Sequence, residues 1–224
     1  MMSVYWQILF AALAVVYAII IVFITRSVFA MMQKRNVEKM VAVYYNRKIV
    51  HMAAGGVVAL LVPFLFGSWI YPLAIGLVLT VFTAVPHATG KPMDFMQTKE
   101  NWNDVKFTLM WGISIAVLWI LLNDPFLAVL PALFMAFGDG ITGVVRNMLY
   151  KKRTKSPVGN VFMLIVCIII GYFYGSMAAH HILPWVIVAA VAASIVERFE
   201  FGPIDDNVLI TVTTMIILIV GSFV

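Results

Sequence analysis

One aspartate inside an apolar stretch is the first residue of this chain whose position predicts chemistry. Asp139 lies in the segment Gly138-Asp139-Gly140-Ile141-Thr142-Gly143, which follows the apolar residues 131–137 and precedes Arg146. A carboxylate in apolar surroundings requires a partner, a bound cation or a water-filled cavity. The glycines permit close backbone approach or a break in the helix. We expect Asp139 to serve a functional site, and the alternative is a structural ion pair between Asp139 and Arg146.

A basic motif precedes the next apolar stretch. It comprises Lys152, Lys155, Ser156 and Gly159 within the run 151–159. Lysine and serine at the start of a helix combine ammonium groups with free backbone N–H groups, and this combination holds phosphate oxygens. A basic loop is equally typical of the cytoplasmic side of a membrane protein. The residues alone leave phosphate binding and membrane topology open.

An acidic motif near the C-terminus concentrates carboxylates in a chain that has few of them. Glu197, Glu200, Asp205 and Asp206 fall within ten residues, and Asn207 follows them. Clustered hard-oxygen ligands suit Mg²⁺, which uses one or two carboxylates together with substrate phosphates. The alternative for residues 205–207 is ordinary turn formation and helix capping.

A fourth motif, Arg47-Lys48-Ile49-Val50-His51, stands at the start of an apolar stretch. Spacings of three and four residues place Arg47, Lys48 and His51 on one helical face. That face is expected to meet a nucleotide phosphate, and a basic stop at a membrane boundary is the alternative. The loop 86–106 also carries charges. It is interpreted as solvated, with a supporting role at the site as the alternative, and no catalytic residue is assigned to it.

The elements that must position these motifs are transmembrane helices. The chain has 224 residues, of which 63% are apolar and 11% charged, and its mean hydropathy is +1.02. Such a composition indicates an all-α polytopic membrane helix bundle, because each crossing needs about 20 apolar residues. We predict about eight transmembrane helices in a single domain, 1–224, with an extra N-terminal helix at 1–32 and a motif-bearing core at 47–224. The expected spans are 4–24, 49–66, 69–85, 107–122, 126–149, 161–177, 182–195 and 208–224.

The basic residues are distributed unevenly along these spans. All fifteen Lys and Arg residues fall in or beside connections on one predicted face, and the alternate connections contain none. The positive-inside rule therefore predicts a multi-pass protein with this face in the cytoplasm and both termini outside. The compact length fits a plasma membrane, and an organelle membrane is the alternative. The same rule explains the basic excess without a nucleic-acid partner. Cys167, the single cysteine, excludes an internal disulfide and a cysteine metal cluster.

The order of the four motifs resembles that of the phytol and dolichol kinase family. The matching residues are Arg47-Lys48-x-x-His51, Gly138-Asp139-Gly140, Lys155-Ser156-x-x-Gly159, Glu197 and Ile204-Asp205-Asp206-Asn207. The resemblance implies an enzyme that transfers the γ-phosphate of CTP to the hydroxyl of an isoprenoid alcohol in the lipid bilayer. The alcohol would be of the dolichol, polyprenol, phytol or geranylgeraniol type. CTP-dependent lipid cytidylyltransferases share a similar aspartate and lysine-serine region and remain the alternative.

Phosphoryl transfer requires charge neutralisation, in-line positioning and an acceptor for the alcohol proton. The expected catalytic residues are Asp139, Lys155 and Asp206. The expected Mg²⁺ ligands are Asp139, Glu197, Asp205 and Asp206. Binding of the nucleoside triphosphate is expected from Arg47, Lys48, His51, Gly140, Gly143, Arg146, Lys152, Ser156, Gly159 and Asn207. A transporter is a less favoured alternative, because the polar residues crowd one face rather than the membrane midplane.

Overall fold

Long apolar segments that must satisfy their own backbone hydrogen bonds form helices, and helices make up this fold. A computed structural model describes residues 3–150 and 154–224. Lys152, one of the expected nucleotide ligands, lies outside the described residues. Within them the chain forms eight helices and no β-strand longer than the isolated bridge between Phe201 and Ile204. The all-helical prediction is confirmed.

The helices follow one another with short connections. Their bounds are α1 Val4–Lys34, α2 Lys39–Leu65, α3 Ile70–Ala88, α4 Asn103–Leu122, α5 Pro125–Tyr150, α6 Pro157–Met177, α7 Leu183–Val196 and α8 Asp206–Ser222. The first two helices extend beyond the expected spans, since α1 continues to Lys34 rather than ending at residue 24 and α2 begins at Lys39 rather than 49. Hydropathy identifies only the apolar part of a helix. In α1 and α2, additional helical turns that contain polar residues extend beyond the apolar part.

Six of the helices, α1 to α6, are long and apolar enough to cross a membrane. The described helices α7 and α8 contain 14 and 17 residues, which corresponds to about 21 and 26 Å at 1.5 Å per residue. A bilayer core is about 30 Å thick. The structure is therefore compatible with a multi-pass membrane protein, but the expected count of eight spans is not confirmed.

Helix α5 forms the centre of the bundle and packs against α2, α4, α6 and α8. Its segment from Leu130 to Ala136 is completely buried among apolar side chains. By contrast, the outer helices expose Ile20 and Phe23 of α1 and Ile169 and Phe173 of α6 by half or more. An outer surface of this kind fits hydrocarbon better than water.

The chain reverses direction from helix to helix, so the connections alternate between two ends. The basic end, as we call it, contains the residues around Lys34, Lys91, Lys155 and Arg198. The connections at the opposite end, residues 66–69, 123–124 and 178–182, contain no Lys or Arg. The Lys and Arg residues of the connections thus lie at one end of the bundle, as the sequence predicts. The side of the membrane that each end faces stays a prediction.

Two π-helical segments interrupt α2 and α5 and lie against each other. They are His51–Gly56 and Phe134–Gly138, and Asp139 directly follows the second. A β-carbon on Gly56 would lie 2.6 Å from the ring of Phe137, so the missing side chain is what lets the two helices approach here. Wide π turns occur frequently at functional sites, and this pair places His51 and Asp139 near each other.

Candidate functional site

Three buried carboxylates meet at the basic end and form what we call the acidic triad. Asp139, Glu197 and Asp206 each offer one oxygen, and these oxygens lie within 4.8 Å of one another. They come from the middle of α5, the residue after α7 and the first residue of α8. The part of α5 between Asp139 and Tyr150 rises about 16 Å. The short helices α7 and α8 therefore place the triad well below the tip of α5.

Lys48 is the cationic partner of Asp139. Its ammonium donates a hydrogen bond to Asp139 Oδ2, and both side chains are buried. The hydroxyl of Thr142 donates to Asp139 Oδ1 at 3.3 Å. A β-carbon on Gly143 would lie 2.8 Å from Cε of Lys48, so this glycine makes room for the lysine. The sequence alternative, a pair between Asp139 and Arg146, is wrong.

Arg146 instead pairs with Glu197. Its Nη1 and Nη2 donate to the two carboxylate oxygens of Glu197 at 2.7 and 2.8 Å. Nε donates to the carbonyl oxygen of Ser156 at 2.9 Å, and Nη2 donates to Oδ1 of Asn160 at 2.9 Å. Gly159 lies directly against the guanidinium, where a side chain would collide with it. A fully buried, bidentate pair of this kind fixes the position of Glu197.

Lys155 is the third cation of the cluster. Its ammonium lies 2.7 Å from Asp206 Oδ2, 3.3 Å from Glu197 Oε1 and 3.2 Å from Glu200 Oε1. Burial disfavours the charged ammonium, but the carboxylates of Asp206 and Glu197 outweigh it and raise the pKa of Lys155. Burial likewise opposes ionisation of Glu197, yet hydrogen bonds from Arg146 and the charge of Lys155 lower the pKa of Glu197. Both groups are therefore charged at neutral pH.

The three cations neutralise the three acids of the triad. Two of them, Lys48 and Lys155, are compact ammonium groups on flexible stems, and that of Lys155 also donates to the backbone carbonyl oxygen of Glu197 at 2.8 Å. Four of the five N–H groups of Arg146 are held in place. A ligand that contains both a cation and negative oxygens could bind the carboxylates through its cation and the two lysine ammonium groups through its oxygens. The arrangement is thus a cluster in which cations face acids, and the Lys48–Asp139 and Lys155–Asp206 pairs each join one side chain to another.

A polar cavity adjoins the triad. Its lining consists of Tyr44, Arg47, Lys48, His51, Asn103, Asp139, Thr154, Lys155, Asp206 and Asn207. The space open to the centre of a water molecule is about 10 Å³, which is about enough for one water. Buried polar atoms without a hydrogen-bond partner face this region, namely both ring nitrogens of His51, Nε of Arg47 and Oδ1 of Asn207. Such atoms are unfavourable in an apolar interior and point to a ligand or to water.

A larger pocket, which we call the outer pocket, shares Tyr44 and Arg47 with the polar cavity. It has about 190 Å³ of space and is also lined by Thr98, Asn101 and Asn147. Arg47 Nη1 donates to Oδ1 of Asn101 at 3.2 Å. The hydroxyl of Thr98 and both amide atoms of Asn147 have no partner although they are buried. The outer pocket therefore offers several free donors and acceptors beside the triad.

The donor chemistry of the triad fits a hard divalent cation. Oxygens bound to Mg²⁺ at 2.0–2.1 Å are about 3 to 4 Å apart, and those of the triad lie within 4.8 Å of one another. A small movement of the side chains is enough to close that difference. Binding also requires Lys48 and Lys155 to move away from the carboxylates, and a bound triphosphate would favour that movement.

Some of the expected site residues line the polar cavity and others lie elsewhere. Arg47, Lys48, His51, Asp139, Lys155, Asp206 and Asn207 line it. Gly140 packs against Met52, and Gly143 and Gly159 accommodate cations. The hydroxyl of Ser156 donates to the hydroxyl of Tyr150 at 3.0 Å instead of facing the cavity. Gly140, Gly143, Ser156 and Gly159 therefore do not line the polar cavity.

Asp205, expected as a metal ligand, lies outside the acidic triad. Its Oδ1 accepts a hydrogen bond from the backbone N–H of Val208 at 3.2 Å and caps α8. Its Oδ2 lies 3.6 Å from the ammonium of Lys106. Burial and the neighbouring charge of Asp206 raise the pKa of Asp205. The capping alternative describes Asp205, and only Asp206 of this pair reaches the triad.

Sequence reasoning missed polar residues that have no motif of their own. Asn103 lines the polar cavity, and Thr98 and Asn101 line the outer pocket. All three belong to the segment 86–106. Its interpretation as solvated describes Lys91, Asp94, Lys99 and Glu100, which are exposed, but not these polar residues or Asp104. Asp104 is 4% exposed and lies 3.1 Å from Nε2 of His87. Uncharged polar residues close together in so apolar a chain were the available signal.

Comparison of this chain with models of protein families, with curated proteins and with solved structures gave no match.

Proposed function

We propose that this protein transfers the γ-phosphate of CTP to the hydroxyl of an isoprenoid alcohol and releases a lipid monophosphate. The observation that carries the proposal is the acidic triad, buried in a bundle of apolar helices and paired with two lysines. Phosphoryl transfer needs such a combination of metal-binding oxygens and mobile cations, and it needs no covalent intermediate on the protein. The choice of CTP and an isoprenoid alcohol as substrates comes from the resemblance of the motif order to the phytol and dolichol kinase family.

Asp139, Glu197 and Asp206 would hold Mg²⁺, which neutralises charge on the triphosphate when it is bound. Arg146 keeps Glu197 in position through its bidentate pair. The ammonium groups of Lys48 and Lys155 leave Asp139 and Asp206 and bind phosphate oxygens. One freed oxygen of Asp139 or Asp206 is then within the site to accept the alcohol proton.

The outer pocket supports the assignment of a nucleotide. It continues from the triad past Tyr44 and Arg47, so a triphosphate at the triad would direct its nucleoside there. The amide of Asn147 offers one donor pair and one acceptor, and Thr98 adds a hydroxyl. A pyrimidine ring presents complementary groups on its edge. In this proposal Asn147 forms hydrogen bonds with the edge of the cytosine base.

In this proposal all eight helices cross the plasma membrane, the basic end faces the cytoplasm and both termini lie outside. The separation of Lys and Arg supports that orientation. In the proposal α7 and α8 cross although they are short, so the triad at their ends lies below the cytoplasmic end of α5. CTP then reaches the triad from water, while the alcohol arrives within the bilayer.

The test uses purified protein in detergent with Mg²⁺ and geranylgeraniol, in parallel reactions with CTP labelled at the γ- or the α-phosphate. We expect label in the extracted lipid from the γ-phosphate alone, and none after chelation of the metal. A parallel reaction with phosphatidate tests the alternative, because α-label in the lipid would identify a cytidylyltransferase. Absence of label from both positions, with every prenol tried, would contradict the proposal.

A further inference from the structure

His51 lies where two cavities meet. Its ring lines the polar cavity on one side and, on the other, an apolar cavity between α1, α2, α3 and α4. The residue is 4% exposed, and neither Nδ1 nor Nε2 has a hydrogen-bond partner among residues 3–150 and 154–224. A buried imidazole in this state loses the hydrogen bonds that water would supply. The ring is therefore available to a group that enters from either cavity.

The ring of His51 is held in place without any hydrogen bond. It stacks on the ring of Phe107 with a centroid distance of 3.7 Å and an angle of 10° between the planes. Phe107 lies in turn against Gly55, where a β-carbon would come within 2.7 Å of its ring. The indole of Trp111 donates to the carbonyl oxygen of Gly55 at 3.0 Å and fixes the same turn. Stacking thus presents both nitrogens in a fixed direction.

The apolar cavity has walls that suit a hydrocarbon chain. Its lining includes Val22, Ala54, Ile75, Phe82 and Trp111, and the space open to the centre of a water molecule is about 40 Å³. That space accommodates the end of a chain and not a whole isoprenoid. The outer faces of α1 and α3 beside it are apolar and exposed, so the rest of a chain can continue into the bilayer.

The other polar residues of this cavity have partners within the fold. The hydroxyl of Thr83 donates to the carbonyl oxygen of Leu79 at 3.0 Å, and that of Thr108 donates to the carbonyl oxygen of Asp104 at 3.2 Å. The carboxylate of Asp104, which also lines the cavity, accepts a hydrogen bond from the amide of Gln97 and lies 3.1 Å from Nε2 of His87. Among the residues that the structure describes, no Lys or Arg lines the cavity. An anionic headgroup would be buried there without a cation, which is unfavourable. A neutral headgroup that needs one hydrogen-bond partner fits.

We propose that the apolar cavity binds the acceptor lipid, a long-chain alcohol with a neutral headgroup, and that His51 holds its hydroxyl beside the acidic triad. This inference rests on the proposed function and adds the place where the acceptor binds. It also changes the role of His51, which the sequence assigned to nucleotide phosphate. Because the described residues that line the cavity include no Lys or Arg, an alcohol is favoured over a lipid phosphate as the acceptor.

Binding is tested first, without nucleotide. The probe is a tritiated C20 prenol with a diazirine close to the hydroxyl, and the protein is the full chain in detergent. We expect cross-links to peptides that contain Val22, Thr83 or Thr108, and competition by geranylgeraniol but not by phosphatidate. Cross-links confined to other helices, or equal competition by phosphatidate, would overturn the assignment.

A matched pair of variants on α1 tests whether the cavity itself is the site. Val22→Phe fills the cavity, whereas Val16→Phe adds the same ring at a position that is 53% exposed. We expect cross-linking to fall at least tenfold in Val22→Phe and to stay unchanged in Val16→Phe. Ala18→Leu is a milder second filling variant in case Val22→Phe does not fold. Wild-type labelling in both folded filling variants would contradict the proposal.

The role of His51 is tested by separating the two substrates kinetically. His51→Phe keeps the stacking on Phe107 but removes both nitrogens, and His51→Gln restores a hydrogen-bonding group. We expect the KM for the alcohol to rise about tenfold in His51→Phe, the KM for CTP to stay unchanged, and His51→Gln to recover part of the loss. A rise in the KM for CTP alone would contradict this role and indicate that His51 binds the nucleotide.

The two proposals fail in different ways. Cross-linking in the apolar cavity without any phosphate transfer would leave a lipid site but contradict the kinase reaction. Phosphate transfer with cross-links elsewhere would keep the reaction and contradict the assignment of the cavity.

Discussion

Asp124 and Asp139 are equally buried acids at opposite ends of the bundle, and their partners differ in kind. Each is 1% exposed. Asp124 accepts hydrogen bonds from backbone N–H groups, those of Phe126 at 2.9 Å, Leu127 at 3.2 Å and Ala179 at 2.7 Å. The ring of His180 lies 3.5 Å from its Oδ2 without forming a hydrogen bond. The backbone donors cap one helix and tie the end of α6 to the start of α5. They cannot leave without unfolding of the backbone.

Asp139 is held by side chains instead. Its partners are the ammonium of Lys48 and the hydroxyl of Thr142, and the neighbouring polar cavity contains atoms without partners. A side-chain ammonium can exchange a carboxylate for a phosphate while the helices stay in place. Burial alone therefore does not identify a functional acid. The kind of partner separates Asp139, whose partners are side chains, from Asp124, whose hydrogen-bond donors belong to the backbone.

The largest expected effect comes from replacing the two acids in parallel. Asp139→Asn should lower phosphate transfer by about 10³-fold, because it removes a charge at the reacting centre. Asp124→Asn should keep the activity per folded molecule but lower the free energy of unfolding by about 1–3 kcal/mol, since an amide cannot accept all of these N–H groups. Activity assays and thermal unfolding in detergent measure both.

A double variant controls for the ammonium that Asp139→Asn leaves unpaired. A buried charge without its partner destabilises a fold by about 3–5 kcal/mol, so the loss of activity could reflect unfolding. Adding Lys48→Met should recover stability while the activity stays lost. If Lys48→Met with Asp139→Asn restores phosphate transfer, Asp139 acts only in folding and the contrast with Asp124 disappears.

The next effect separates two lysines of equal exposure. The side chains of Lys155 and Lys106 are 30% and 29% exposed, and each pairs with an acid of the 205–206 turn. Lys155→Met should reduce kcat about 10²-fold, because the ammonium is proposed to bind phosphate in the transition state. Lys106→Met should change kcat less than twofold. Equal losses in the two variants would show that charge near α8, rather than an exchangeable pair, matters.

A smaller effect is expected in the outer pocket. Asn147→Ala should raise the KM for CTP about tenfold and leave the KM for the alcohol unchanged, since it removes base contacts worth about 1–2 kcal/mol. Asn101→Ala, which also changes the lining of the outer pocket, is the control that leaves the free amide of Asn147 in place. A KM for CTP that is unaffected by Asn147→Ala would place the nucleoside elsewhere.

The smallest effect concerns pH and tests the fixed pair within the triad. The pKa of Glu197 lies below its ordinary value of 4.5, so its pair stabilises the fold above that pH, and the contribution is lost as pH falls through the lowered pKa. Glu197→Gln should therefore reduce the melting temperature at pH 7, and the difference from wild type should shrink towards pH 3. A difference that stays constant across this range would contradict the ion pair.

At alkaline pH, the dependence of fold stability on pH involves Lys155. Its pKa is raised above the ordinary 10.5, so its pairs with Asp206 and Glu197 stabilise the fold below that pH. The contribution disappears as pH rises through the raised pKa. Together the two shifts predict a plateau of stability across neutral pH.

The sequence was sufficient to find Lys48, His51, Asp139 and Asp206, because polar residues in an apolar chain are conspicuous. It could not give the pairing, since Arg146 and Glu197 belong to different helices and no spacing rule relates them. Capping and metal binding use the same residue types, so Asp205 could not be separated from Asp206. The π turns that place His51 next to Phe107 depend on packing between helices, which leaves no periodic signal.

The most direct measurement of the proposed site is equilibrium dialysis of labelled CTP against the wild type, Asp139→Asn and Asp124→Asn, with Mg²⁺ and with chelator. If Asp139 belongs to an exchangeable metal-nucleotide site, the wild type and Asp124→Asn bind CTP only with Mg²⁺, and folded Asp139→Asn does not bind it. Magnesium-dependent binding that survives in Asp139→Asn, or that is lost in folded Asp124→Asn, would contradict the distinction between the two acids.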